Sequence, residues 1–143
     1  MRLLLATAAL LPVAAAPAAA QQWYRVGGNE NTMSYVDLAS LKPASDGKIT
    51  GDVESVYATP LDEGIVAARI RTEFNCTNTS FRTLSYSYYM AGGKFLRTEP
   101  SETINEYKLP KPGSINIAIM EFACKRTGGT AVGDPIADAK AQF

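Results

Sequence analysis

Residues 65–90 carry the pattern that most restricts the fold, because apolar and polar side chains alternate along two consecutive segments. The even positions of the first segment are Val66, Ala68, Ile70, Thr72, Phe74 and Cys76, and the odd ones include Arg69, Arg71 and Glu73. The even positions of the second include Leu84, Tyr86, Tyr88 and Met90, opposite Thr83, Ser85 and Ser87. A period of two is typical of a β-strand with one buried face. Residues 77–79 supply a turn, so the sequence predicts an antiparallel pair.

Shorter segments on either side extend this pair into a sheet. Further strands are predicted at 22–26, 32–37, 48–59 and 94–98, separated by turns rich in Gly, Asn, Asp and Pro. The short turns favour an antiparallel meander of about five to six strands. No period is visible from residue 99 to residue 113, where three prolines predict an irregular covering segment.

One amphipathic helix follows the strands. Ser114 is a candidate N-cap, and the apolar stripe behind it consists of Ile115, Ala118, Ile119, Phe122 and Ala123. This pattern predicts an α+β fold with the helix packed on one face of the sheet. Asp134 and Pro135 begin a second short helix or a tail. We therefore divide the mature chain into a single domain at 21–129 and a C-terminal piece at 130–143.

The first twenty residues are typical of a cleaved secretory signal peptide. Arg2 precedes an apolar stretch rich in Leu and Ala, and the alanines at 18–20 satisfy the small-x-small cleavage pattern. Pro12 and Pro17 disfavour an uncleaved membrane anchor, and no cysteine follows the cleavage site to accept the lipid of a lipoprotein. We expect a soluble exported protein, periplasmic or secreted, with no membrane span after cleavage.

Cleavage barely changes the charge balance. The chain has 143 residues with 14 basic and 14 acidic side chains, so losing 20 residues that include Arg2 leaves 123 residues with 13 basic and 14 acidic. Proteins that bind nucleic acid or anionic lipid normally carry an excess of Lys and Arg. Neither is therefore an expected partner.

The two cysteines are predicted to form one disulfide. An exported protein enters an oxidising compartment, and Cys76 with Cys124 is the one pairing that two cysteines allow. Cys76 falls on the apolar face of its strand and Cys124 lies near the end of the helix, so the bridge would hold helix to sheet. Two free thiols or a redox pair are the alternatives, although redox pairs usually occur as Cys-x-x-Cys.

The absence of histidine from the sequence restricts catalysis. It excludes Ser-His-Asp and Cys-His mechanisms, His-ligated zinc and haem held by a proximal His. The nearest carboxylate pairs, Asp62 with Glu63 and Asp52 with Glu54, are interpreted as solvated surface charge. The sequence therefore predicts no enzyme, no metal and no cofactor. A carboxylate-dependent hydrolase ranks third among the candidate functions, behind the two named below.

Tyrosines and arginines are concentrated in the two alternating segments. Tyr86 and Tyr88 are interpreted as core and cross-strand packing. Tyr89 lies on the opposite face, where it joins Arg69 and Arg71 in a predicted exposed patch. Because Arg and Tyr are enriched in interface hot spots, these three residues are the candidate partner-binding face.

Several short motifs occur in a recognisable order between residues 22 and 125. They are Trp23-Tyr24-Arg25-Val26, Tyr35-Val36-Asp37, Ser40-Leu41, Cys76 at a strand end, an Arg- and Tyr-rich strand, Pro112-Gly113-Ser114 and a helix ending in Cys124. In this order they resemble the surface-adhesin protein E-like family of secreted bacterial domains. The resemblance implies an antiparallel sheet with a short C-terminal helix.

The type member of that family is an outer-membrane lipoprotein that binds host extracellular-matrix and plasma proteins and can dimerise. This chain departs from it in lacking a lipidated cysteine, and it also lacks the tryptophan that we expect in many relatives within 99–109. The resemblance implies a non-catalytic, adhesin-like envelope protein that contacts a protein or the envelope surface through a sheet face. The alternative is a periplasmic small-ligand-binding or stress-related module with a pocket beneath Phe122. The sheet edges at 22–26 and 94–98 also suggest a two-fold homodimer.

Overall fold

A computed structural model describes residues 9, 11, 12 and 20–143, so the predicted signal peptide at 1–20 lies almost wholly outside the described residues. Within that part of the chain there are eight strands and two helices. They are β1 (Trp23–Gly28), β2 (Thr32–Asp37), β3 (Lys42–Pro43), β4 (Lys48–Tyr57), β5 (Ile65–Asn75), β6 (Ser80–Met90), β7 (Lys94–Pro100), α1 (Ile115–Lys125), β8 (Thr130–Ala131) and α2 (Pro135–Gln142).

The strands form one open antiparallel sheet in the order β7-β6-β5-β4-β2-β1-β8, with β3 paired to β4. The predicted meander is confirmed, and β4, β5 and β6 are its longest strands. The predicted count of five to six strands was too low. β3 and β8 have two residues each, and a segment of that length is too short to display a period of two.

Helices lie on both faces of the sheet, whereas the sequence predicted a helix on one face. On the α1 side, Phe122 and Met120 of the helix pack on Val36, Val53 and Phe74. On the α2 side, Ala139 packs in a second cluster of buried residues, which includes Trp23, Tyr35, Val56 and Ala67. The second cluster was missed because α2 is short and only weakly amphipathic in sequence.

The predicted disulfide is confirmed. Cys76, just after β5, is bonded to Cys124 near the end of α1, with 5.7 Å between their Cα atoms. The bridge joins positions 48 residues apart along the chain. It therefore fixes the C-terminal end of α1 to the end of β5.

A buried polar contact fixes α2 to the opposite face. Asp134 caps the helix by accepting a hydrogen bond from the Ala137 amide at 2.9 Å, as its position predicts. Asp138 accepts hydrogen bonds from Arg25 at 2.7 and 2.8 Å and from the Tyr35 hydroxyl at 2.7 Å. Because the Tyr35 side chain is fully buried, Asp138 satisfies a hydroxyl that water cannot reach.

The irregular segment between β7 and α1 follows the edge of β6 beyond the end of β7. Lys108 exchanges two backbone hydrogen bonds with Phe81, at 2.7 and 3.0 Å. The hydroxyls of Ser101 and Thr83 are 2.7 Å apart and buried. At its end Ser114 occupies the N-cap position of α1, as predicted, but makes no capping hydrogen bond with its side chain.

The two ends of the sheet differ. β8 pairs with β1 at Tyr24 and Arg25, so part of the edge predicted at 22–26 is already occupied. β7 ends the described sheet on the other side, where it pairs only with β6.

Candidate functional site

The three residues of the predicted binding face, Arg69, Arg71 and Tyr89, lie on the α2 side of the sheet. Arg69 and Arg71 alternate along β5 on the same side as buried Ala67, and Ala67 pairs with Tyr89 in β6. The guanidinium of Arg69 lies 4.9 Å from the centre of the Tyr89 ring. We call Arg69, Arg71, Tyr89 and the neighbouring Phe95 the partner face.

Arg69 is held from several sides. Its guanidinium donates to Glu54 Oε1 at 3.0 and 3.2 Å and also lies 5.1 Å from the ring of Trp23. Glu54 is 2% exposed, and burial raises the pKa of its carboxyl, an effect that the charge of Arg69 offsets only in part. The charge of Arg69 is therefore already paired within the protein, so Arg69 helps to fix this part of the sheet and offers no free charge.

The accessible part of the face lies beside Arg69. The Arg71 side chain is 45% exposed and its pair with Asp52, at 3.2 Å, is open to solvent. Tyr89 packs edge-on against Phe95, with ring centres 5.8 Å apart, and Phe95 is 54% exposed. The α2 side of the sheet therefore carries one exposed cation and a pair of aromatic rings, with Arg69 between them along β5.

Sequence reasoning placed Asp52 and Glu54 together on a solvent face, which is wrong for Glu54. The two carboxylates do lie on one side of β4, but each faces its own arginine across the β4–β5 ladder. Trp23 and Arg69 cover Glu54 and leave Asp52 half-exposed. The missing information was the strand register, which pairs Glu54 with Arg69 and which composition does not encode.

Tyr86 and Tyr88 lie on the α1 side of the sheet, where α1 does not cover them. They were interpreted as core packing, but both are half-exposed because α1 packs mainly over β1, β2 and β4. Their rings stack at 6.2 Å with planes 16° apart. Burial, together with a hydrogen bond that the Tyr88 hydroxyl donates to Glu99 at 2.9 Å, raises the pKa of Tyr88 to about 12.

Two cavities open on this same side. One of about 550 Å³ lies between the tyrosine pair and the irregular segment, and one of about 260 Å³ lies between the first half of α1 and the sheet. The second is lined by Ile115, Ile119 and Met120 from the helix. The small-ligand alternative placed its pocket beneath Phe122, but Phe122 is 3% exposed and packs on the Tyr24 ring at 5.0 Å.

Another buried carboxylate whose role the sequence did not predict is Glu73 on β5. Burial opposes its ionisation, but hydrogen bonds from Arg82 and Tyr107 prevail and lower the pKa of Glu73. This group ties β5 and β6 to the irregular segment. Among the described residues, no three His, Cys, Asp or Glu side chains gather in a way that would hold a metal ion.

The fold defines the protein as a small α+β domain built on an open antiparallel sheet with one disulfide. Its sequence matches the family model described as Surface-adhesin protein E over residues 23–125, and the chain therefore belongs to that family. The family implies a surface adhesin, hence an exported protein with a non-enzymatic role. No curated protein and no solved structure matches the chain.

No helix within the described residues combines the length and the hydropathy that crossing a bilayer requires.

Proposed function

We propose that the protein is an exported, non-catalytic envelope protein that binds a macromolecular partner through the partner face. In this proposal the signal peptide is cleaved after Ala20, and the soluble product works in the periplasm or outside the cell. Residues 21–129 form the binding domain, and 130–143 support it from the α2 side.

The observation that carries the proposal is the contrast between Arg69 and Arg71. One arginine is fixed by a buried carboxylate and two aromatic rings, while the other is exposed two positions further along β5. Side chains that are already ordered lose little entropy on binding. An exposed Arg that shares one face of the sheet with ordered aromatic rings matches the composition of interface hot spots.

Family membership supports the same conclusion from a separate direction. A surface adhesin acts by holding another macromolecule or a surface, and such contacts need an accessible face more than a deep cleft. The partner face meets that need. The carboxylates nearest to it, Asp52 and Glu54, are both engaged by arginines.

The test is a binding assay with the exported form of the chain. Labelled protein is applied to isolated cell envelopes and to immobilised extracellular-matrix and plasma proteins, and the bound fraction is measured against concentration. We expect saturable binding to at least one of these surfaces, and the double substitution Arg71→Ser with Tyr89→Ser to weaken it at least about tenfold, since hot-spot residues are each worth about 1–2 kcal/mol.

The matched control is Lys125→Ser, which removes one exposed positive charge from α1 on the other side of the sheet. It should leave binding unchanged. Equal binding by the double variant and the parent chain would refute the partner face, and absence of saturable binding to every surface would refute the proposed function.

Export is tested separately by mass spectrometry of the protein recovered from the producing cell. We expect a chain that begins at Gln21. Recovery of a product that retains Met1 would contradict the proposed cleavage.

A further inference from the structure

The cavity beside Tyr86 and Tyr88 lies on the side of the sheet opposite the partner face. The two tyrosines and Glu99 form one side of it, and residues 101–108 form the other. The backbone hydrogen bonds between Phe81 and Lys108 hold this second wall against β6. The cavity is therefore part of the folded sheet and has a volume of about 550 Å³.

The tyrosine pair is held in place by contacts within the protein. Tyr88 stacks on Tyr86, lies 5.3 Å from the Arg97 guanidinium and donates its hydroxyl to Glu99. The Tyr86 hydroxyl makes no hydrogen bond within the part of the chain that the structure describes. The pair thus presents a fixed aromatic surface together with one hydroxyl that is available to a ligand.

Charges of both signs surround the cavity. Glu99 and Glu102 contribute two carboxylates and Lys108 one cation to its lining, and the nearby Arg97 is paired with both Glu99 and Glu63. The carboxylates disfavour phosphate and other anions, and Lys108 and Arg97 disfavour a cationic ligand. This mixture favours an uncharged ligand that is rich in hydrogen-bonding groups.

Proline-rich peptides also bind tyrosine-lined grooves, usually with a proline ring set between aromatic side chains. Such a ring needs about 3.5–4 Å of separation from each neighbouring face, or about 7–8 Å in total. The Tyr86 and Tyr88 ring centres are 6.2 Å apart. The space between the rings is therefore already closed to a proline.

A sugar ring fits both the aromatic surface of the cavity and its hydrogen-bonding groups. Its C–H face is apolar and packs on an aromatic ring, and its hydroxyls donate to carboxylates and accept from hydroxyl or ammonium groups. We propose that this cavity binds a neutral oligosaccharide, with one ring on Tyr86 and its hydroxyls bonded to Glu99, Glu102 and Lys108. Because the site lies across the sheet from the partner face, either proposal can fail alone.

The test is a titration of the ¹⁵N-labelled exported chain with three neutral trisaccharides: N,N′,N″-triacetylchitotriose, cellotriose and maltotriose. We expect at least one of them to shift the amide signals of residues 86–88 and 99–103 in a saturable way. Tyr86→Ala should weaken that binding about three- to tenfold, because it removes the aromatic surface on which the sugar ring packs, while Tyr86→Phe should retain most of it. Arg71→Ser, on the partner face, should leave the affinity for the sugar and the shifted signals unchanged.

Several results would overturn the proposal. They are no saturable shift with any of the three sugars, shifts confined to other parts of the sheet, and equal binding by the Tyr86→Ala variant. A proline-rich peptide or inorganic phosphate that shifts the same signals more strongly than the sugars would also overturn it. If Tyr86→Ala fails to fold, Glu102→Gln is measured instead and is expected to weaken binding in a chain with unchanged circular dichroism.

Discussion

Replacing Arg69 with methionine should destabilise the protein far more than the same replacement at Arg71. Both arginines lie on one side of β5 and each pairs with a carboxylate of β4, so the two variants are closely matched. They differ in the burial of the partner, because the Glu54 side chain is 3% exposed and that of Asp52 is 24% exposed. Methionine retains an apolar stem, so the comparison isolates the guanidinium.

The magnitudes follow from that difference in burial. Removing one member of a buried pair leaves an uncompensated charge and costs about 3–5 kcal/mol, and a quarter of the Arg69 side chain is exposed, which points to the lower end. We therefore expect Arg69→Met to lower the free energy of unfolding by about 3 kcal/mol near neutral pH. Arg71→Met breaks an exposed pair and should cost about 0–1 kcal/mol.

The pH dependence gives a sharper test of the same cause. Burial already raises the pKa of Glu54 in the folded state, and loss of the Arg69 charge must raise that pKa further. A raised carboxyl pKa means that the folded state binds the proton more tightly, so stability falls as pH rises through the folded pKa. The deficit of Arg69→Met should therefore shrink as pH is lowered toward the unfolded value of about 4.3.

Urea denaturation of each variant at several pH values measures these free energies. The double variant Glu54→Leu with Arg69→Met removes both charges and should recover most of the lost stability, since buried pairs are often replaceable by apolar side chains. Equal losses at Arg69 and Arg71, or a deficit at Arg69 that does not change with pH, would refute the assignment of Glu54 as a buried charge.

Two further perturbations test what holds the helices on the sheet. Replacing Cys76 and Cys124 with alanine opens a loop of 48 residues, which should lower the free energy of unfolding by about 4 kcal/mol in the chain-entropy account. A variant with the same urea midpoint as the disulfide-bonded parent chain would contradict this. Asp138→Ala leaves the buried Tyr35 hydroxyl without its acceptor and frees Arg25, so we expect a loss of about 1–3 kcal/mol and faster amide exchange across α2. Exchange that stays as slow as in the parent chain would show that the contact does not hold the helix.

The main features of the fold could be predicted from local pattern. Alternation along β5 and β6 gave both strands and the apolar position of Cys76, and the helical stripe after Ser114 gave α1. Each of these features depends on residues that are close together in the sequence. β3 and β8 could not be predicted, because two-residue strands exist only through their pairing with β4 and β1.

The candidate site was less predictable because it depends on what covers each face. Alternation placed Arg69, Arg71 and Tyr89 on one side of the sheet, but it could not show that Glu54 and Trp23 enclose Arg69. That enclosure depends on strand register and on contacts between distant segments. For the same reason alternation treated Tyr86 and Tyr88 as buried, although α1 lies over the other half of the sheet.

Tyr86 and Tyr88 show what a sequence period of two cannot predict. The period identifies which side chains share a face only where the strand is regular: it is right that Tyr86 and Tyr88 share one, but a register shift in β6 brings Thr83 to that same face. It carries no information on where a helix of limited length stops, and α1 has 11 residues to cover a sheet with seven strands in its main order. An uncovered part of the sheet is the physical consequence, and it is where the larger cavity opens.

The most direct test of the proposed function is site-specific photocrosslinking in living cells. A photoreactive amino acid is placed at position 71 of the full chain, with a second variant carrying it at position 125 on α1 as the control. We predict that illumination links position 71, and not position 125, to a macromolecule of defined mass. No adduct from position 71, or the same adducts from both positions, would contradict a binding role for the partner face.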